Sequence, residues 1–153
     1  MAHNDLVIKV TDNSLFVEKK IGDAVFRALE KMGLLAEAYA KLNLEKDPRR
    51  IDTGRLRNSI THTHGYDEDN NLREYIGTAV EYAVYVEYGT GVYVEDGSGR
   101  KTPWFVVGEQ GKWNGVGFWT RGMKPNHFLR NAARNHDDEY VEILRKEVED
   151  ALR

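Results

Sequence analysis

His62 and His64 stand two residues apart in a stretch rich in strand formers, and they are the residues with the most evident chemical capacity in this chain. In an extended strand both side chains point the same way, as two ligands of one metal ion would need. No third ligand is evident, so the pair reads as solvated histidines and no metal is expected. His136 falls within the apolar stripe of the last helical segment. It reads as a packed or rim residue, because neither a nucleophile nor a carboxylate partner for a general base can be placed beside it. Asp137, Asp138 and Glu139 occupy neighbouring helical positions and diverge around the axis, which rules against an acid–base pair or a two-metal site. Gly97, Gly99 and Gly108 do not form a phosphate loop, since no GxxxxGK[ST] pattern is present. Arg55 and Arg57 flank Leu56, offering two guanidinium groups to a carboxylate or phosphate beside a buried anchor, or simply a solvated pair. No catalytic residue and no cofactor is expected.

The composition narrows the classes further. A chain of 153 residues without a long polar tract is expected to be a single domain, 1–153, able to bury a real core. Apolar residues make up 41% and charged residues 31%, so much of the surface must lie in loops and on the backs of helices. The net charge of −3 gives no overall attraction to nucleic acid. The absence of cysteine removes disulfides, thiolate catalysis and cysteine-ligated zinc together. No run approaches the ~18 apolar residues of a membrane span, and the start lacks the regions of a signal peptide, so neither membrane association nor export by that route is expected.

The elements that position these residues follow from periodicity. Leu6 to Val10 alternates weakly and predicts a short strand, and Asp12, Asn13 and Ser14 offer N-caps for a long helix from Leu15 to about Leu44. Its stripe is Ile21, Val25, Ala28, Leu29, Met32, Leu35, Tyr39 and Leu42, with Gly22 and Gly33 as weak points. After Pro48, Asp52 or Thr53 can cap a short turn of helix. Ile60 to Tyr66 and Leu72 to Ala79 predict a hairpin with an acidic tip. Tyr82, Tyr85 and Tyr88 share one side of a two-turn helix that begins near Val80 and stops at Gly89. A helix that short needs tertiary or subunit contacts to hold it. Val92 to Glu95 and Lys101 to Val107 predict a second hairpin around Asp96–Gly99, and the glycines and aromatics from 108 to 119 predict a further reversal. A final helix, capped by Asn126, runs to about Leu152, with Asp137 to Glu139 on its solvent side or at a local break. The element order predicts an α+β fold: a long N-terminal and a C-terminal helix packed on a small antiparallel sheet of hairpins, with a short central helix.

Three segments, IDTGRLRNSI, YIGTAVEYAVYVEYGTG and TRGMKPNHFLRNA, resemble the signature blocks of the siphophage tail-component family typified by gene product ten of the Hong Kong ninety-seven phage, and they come in the family's order. The lead-in to the third, GRKTPWFVVGEQGKWNGVGFW, is similar to the family's hairpin between a Gly-Arg-Lys start and an aromatic end. The resemblance spans about Ile51 to Ala133. Val84 stands where a proline is common, and Asn126-His127 and Asn131 stand where the family often has Gln-Pro and Pro. The resemblance implies a non-enzymatic virion protein of the neck, acting in tail completion or head–tail joining at the head–tail junction. It implies a homo-oligomeric ring, hexameric or larger, meeting head-closure or connector proteins on one side and tail-tube or tail-terminator proteins on the other. DNA would pass through the ring without specific binding. A tail terminator remains an alternative, and a small phage DNA-binding protein or metal-dependent nuclease a more distant one.

The candidate interface residues combine these readings. Trp104, Trp113, Phe118 and Trp119 lie in glycine-rich segments with few aliphatic residues to cover them, so some are expected to be buried by a neighbour. Arg55, Arg57, Arg121 and Arg130 are expected to anchor subunits or neighbouring virion proteins, since a guanidinium can pair with a carboxylate while its stem covers apolar surface. Tyr82, Tyr85, Tyr88 and Phe128 complete the set.

Overall fold

The computed structural model describes residues 12–47, 53–109 and 111–153; the strand expected at Leu6 to Val10 lies outside them. The elements run α1 (Ser14–Glu45), α2 (Arg55–Ser59), β1 (Thr61–Tyr66), β2 (Leu72–Gly77), α3 (Ala83–Tyr88), β3 (Trp104–Val107), β4 (Gly117–Thr120), α4 (Phe128–Arg134) and α5 (Asp137–Leu152). This is the expected α+β arrangement. The two hairpins, β1–β2 and β3–β4, are both antiparallel but remain separate two-stranded ladders. No described helix is long and apolar enough to cross a membrane.

Helix α1 organises the molecule: α4, α5 and the β1–β2 hairpin all pack against it. Its start is closed by Asp12, whose carboxylate accepts the Ser14 N–H at 2.8 Å, while Asn13 sits at the N-cap without a side-chain bond. The buried face differs from the expected stripe. Its centre is a row of small residues, Ala24, Ala28, Gly33, Ala36 and Ala40, ending in Leu44, whereas Ile21, Val25, Leu29, Met32, Leu35 and Tyr39 are half-buried shoulders and Leu42 is 51% exposed. Helix axes and a strand pair can approach closely only along a ridge of small side chains, so the larger residues are displaced to either side of that line. Gly33 is therefore a contact point rather than a weak one. A Cβ there would collide with the Glu74 carboxylate and the His62 ring.

The core gathers Ala40 and Leu44 of α1, Leu56 and Ile60 around α2, Val80, Ala83 and Val86 at α3, and Phe128 and Ala132 of α4. Asn43, buried beside them, donates from Nδ2 to the Phe128 carbonyl at 3.2 Å, which satisfies both groups. Where a single final helix is expected, the chain makes two. The break at Asn135–His136 is fixed by the Tyr140 hydroxyl, which donates to the Ala132 carbonyl at 2.6 Å, and by His136, whose ring stacks on Tyr39 with centroids 3.4 Å apart. His136 is thus a packed residue at the start of α5. Across α1, Glu147 of α5 binds Arg27 at 3.1 Å and also Lys31, so its carboxyl is held below the ordinary glutamate range, first by Lys31 and then by Arg27.

Candidate assembly surface

The aromatic segment that follows α3 departs most from expectation. Val92 to Glu95 is not a strand: Gly91–Tyr93 forms one 3-10 turn, with Gly91 at φ 60°. Its amides bond elsewhere, Thr90 N–H to the Met123 carbonyl at 2.8 Å and Val92 N–H to the Arg121 carbonyl at 3.0 Å. Gly91 has to be glycine, since a Cβ would overlap the Arg121 carbonyl and the Trp104 ring. The expected hairpin is replaced by the longer reversal, β3 paired with β4 in the register Phe105↔Trp119 and Val106↔Phe118. Asp96–Gly99 remains a turn, with Asp96 Oδ1 accepting the Ser98 N–H at 2.9 Å.

This β3–β4 arm presents apolar side chains on both faces. Phe105 and Trp119 meet edge to face at 5.8 Å on one side and are 54% and 71% exposed, and Trp113 and Phe118 lie 5.6 Å apart and are 46% and 40% exposed. Val107 and Val116 extend the same surface. Trp104 is half-buried at the base, with the Arg100 guanidinium 5.5 Å from its ring. An arm so rich in exposed aromatics resembles half of an interface.

A second surface surrounds α3. Ala83, Val86 and Glu87 are buried, while Tyr82, Tyr85 and Tyr88 form an exposed rim. Gly89 ends the helix at φ 81°, its N–H returning to the Tyr85 carbonyl. Beside the rim, an open groove of about 650 Å³ runs between α3 and α4, lined by Ile76, Val80, Val84, Leu129 and Ala133. The groove is braced by Glu87, 5% exposed, whose two carboxylate oxygens accept the Leu129 and Arg130 N–H groups at 3.0 Å each. Glu87, and not Asn126, caps α4. The N-cap position is His127 in a left-handed conformation, and the Asn126 N–H goes to the Val86 carbonyl. A carboxylate suits the first turn of a helix because it meets unpaired N–H groups and the positive end of the dipole.

The arginines separate in kind. Arg130 forms a two-pronged pair with Glu95 of its own chain at 2.8 and 2.7 Å and lies 5.4 Å over the Tyr88 ring, while His127 Nε2 adds a contact to Glu95 at 3.2 Å. Arg57 pairs with Glu45 at 2.5 Å, joining α2 to the end of α1. Arg55 and Arg121 have exposed side chains. Leu56 is the buried anchor expected between the first two. Phe128 cannot belong to an interface: it is 0% exposed, at the centre of the core.

The histidines are not a solvated pair. His62 Nδ1 lies 2.7 Å from Glu37 of α1, which raises its pKa above the ordinary histidine value, and Glu37 is itself held low by Lys41 first and His62 second. His64 packs edge-on to Phe26 at 4.6 Å, with Nδ1 3.6 Å from Glu30. Cross-strand from His64 is Glu74, whose carboxyl burial pushes above the ordinary range. Glu30 and Glu74 were invisible as partners in the sequence, since only the docking of the hairpin on α1 brings them to His64.

Residues 11–89, half of the chain, match the model of a protein family described as "Bacteriophage HK97-gp10, putative tail-component". The matched segment runs from α1 through the first block to the tyrosine helix. No curated protein matches the chain. No solved structure matches it either.

Proposed function

The chain belongs to the HK97 gp10-like family of phage tail components, and from that premise we propose that it is a tail-completion protein of the neck, assembling as a homo-oligomeric ring at the head–tail junction. Ring assembly needs two different surfaces on each subunit, one meeting the other on the neighbour. The observation that carries the proposal is the β3–β4 arm, with Trp119 71% exposed in a chain whose core lies elsewhere. In the ring this arm occupies the α3–α4 groove of the next subunit, where Tyr82, Tyr85 and Tyr88 close over it. Arg55 and Arg121, exposed and outside the groove, then face connector or tail-tube proteins. The lumen passes DNA without reading it.

The test is native mass spectrometry and negative-stain electron microscopy of the full-length protein, alone and with connector and tail-tube proteins. Rings are expected from the wild type. Trp119→Ser and Trp113→Ala should leave circular dichroism unchanged and shift the population to monomer. Intact rings in both variants would remove the arm from the interface, and a wild type that stays monomeric with either partner would reject the ring. Capture by the connector rather than by the tail tube alone places it in the neck and not at the tail terminus.

A further inference from the structure

Glu30 of α1, His64 of β1 and Glu74 of β2 each offer one ligand atom, and these atoms all lie within 4.8 Å of one another. We propose that the three side chains bind a divalent transition-metal ion, zinc best by the chemistry of the donors, which clamps the β1–β2 hairpin to α1. Three observations support it. His64 and Glu74 are directly opposed across the ladder, so the strand register itself holds two ligands on one face. His64 Nδ1 and Glu30 Oε2 are 3.6 Å apart, close to the edge of about 3.4 Å for a tetrahedral shell with bonds near 2.1 Å. Both oxygens of Glu74 are shut off from solvent and have no hydrogen-bond partner among the described residues. A carboxylate removed from water without a donor is costly, and a cation in front of it removes that cost.

One imidazole and two carboxylates suit zinc, whereas magnesium and calcium prefer oxygen alone. Glu30 and His64 are each more than 40% exposed at the side chain, which leaves a path for the ion and a fourth position for water. His62 lies behind the site, tied by Nδ1 to Glu37, with Nε2 3.8 Å from Glu30 Oε1. Its imidazolium could serve the same carboxylates without any metal, and the experiment has to separate these two cases.

The full-length protein is stripped with chelator and titrated with Co²⁺ as a spectroscopic stand-in and with Zn²⁺ by calorimetry. Expected are one equivalent bound, visible d–d absorption stronger than that of aqueous Co²⁺, and a rise in thermal midpoint reversed by chelator. Glu74→Gln and His64→Gln should each weaken Zn²⁺ at least about tenfold, since losing even a hydrogen-bond partner of a ligand typically costs that much; His136→Gln should bind as the wild type does. If a ligand variant does not fold, the Co²⁺-loaded wild type decides the matter through a strongly shifted, exchangeable imidazole N–H proton resonance. Absence of that resonance and of the visible band, or Zn²⁺ binding unchanged in Glu74→Gln and His64→Gln, would overturn the proposal and leave His62 as the counter-charge.

Discussion

Glu87 does the work of a helix cap from another element, and that makes it sensitive to substitution. Glu87 is 5% exposed, and both of its carboxylate oxygens are taken up by the Leu129 and Arg130 amides. Glu87→Ala should lower stability by roughly 1–3 kcal/mol, the range for leaving buried partners unpaired, and Glu87→Gln by less because one acceptor survives. Urea unfolding of the three proteins checks this order; equal midpoints would deny the cap. Glu147 contributes to the acid limb. Its folded pKa is depressed by Lys31 and Arg27, so it contributes stability above the ordinary glutamate value of about 4.3, and that contribution disappears as pH falls through the depressed value. Glu147→Gln should therefore be less stable than the wild type at neutral pH and converge with it only as pH falls past the depressed value, in paired thermal melts across the acid range.

Among the elements, α1 separates two glycines that look alike in the sequence. Gly22 has open space around the position of a Cβ, so Gly22→Ala should stabilise by about 0.5–1 kcal/mol through helix propensity alone. Gly33→Val should destabilise, because its side chain must displace Glu74 and His62 and lift the hairpin. Chemical denaturation of both variants tests the contrast, and a stabilised Gly33→Val would mean the hairpin is loosely seated. The span of α1, the first hairpin, the tyrosine helix and its Gly89 stop were all legible, because each is set by local periodicity and turn chemistry. The face of α1 was not. Periodicity weights large apolar residues, while the seam against α4, α5 and the hairpin is chosen by how closely backbones can approach, which favours Ala24, Ala36 and Ala40. Val92 to Glu95 reads as a strand because its alternation is apolar enough, but the Thr90 and Val92 amides bond to Met123 and Arg121, partners some thirty residues away. The same non-local pairing hid Glu30 and Glu74 from His64, and hid Glu87 from α4.

At the scale of the whole molecule, the three resembling blocks are revealed as one structural unit. Leu56 and Ile60 come from the first, Val80, Ala83 and Val86 from the second, Phe128 and Ala132 from the third, and all meet in a single core against α1. The blocks thus build the scaffold, and the exposed aromatics between the second and third are carried by it. That division has an optical consequence. All three tryptophans of the chain, Trp104, Trp113 and Trp119, lie on or beside the arm and none lies in the core. Indole emission from this protein reports the arm and its base, while helical ellipticity reports the scaffold. A blue shift without a change in ellipticity marks a neighbour closing over the arm, and loss of ellipticity with only a small red shift marks a scaffold melting beneath Trp113 and Trp119, which are exposed in the subunit.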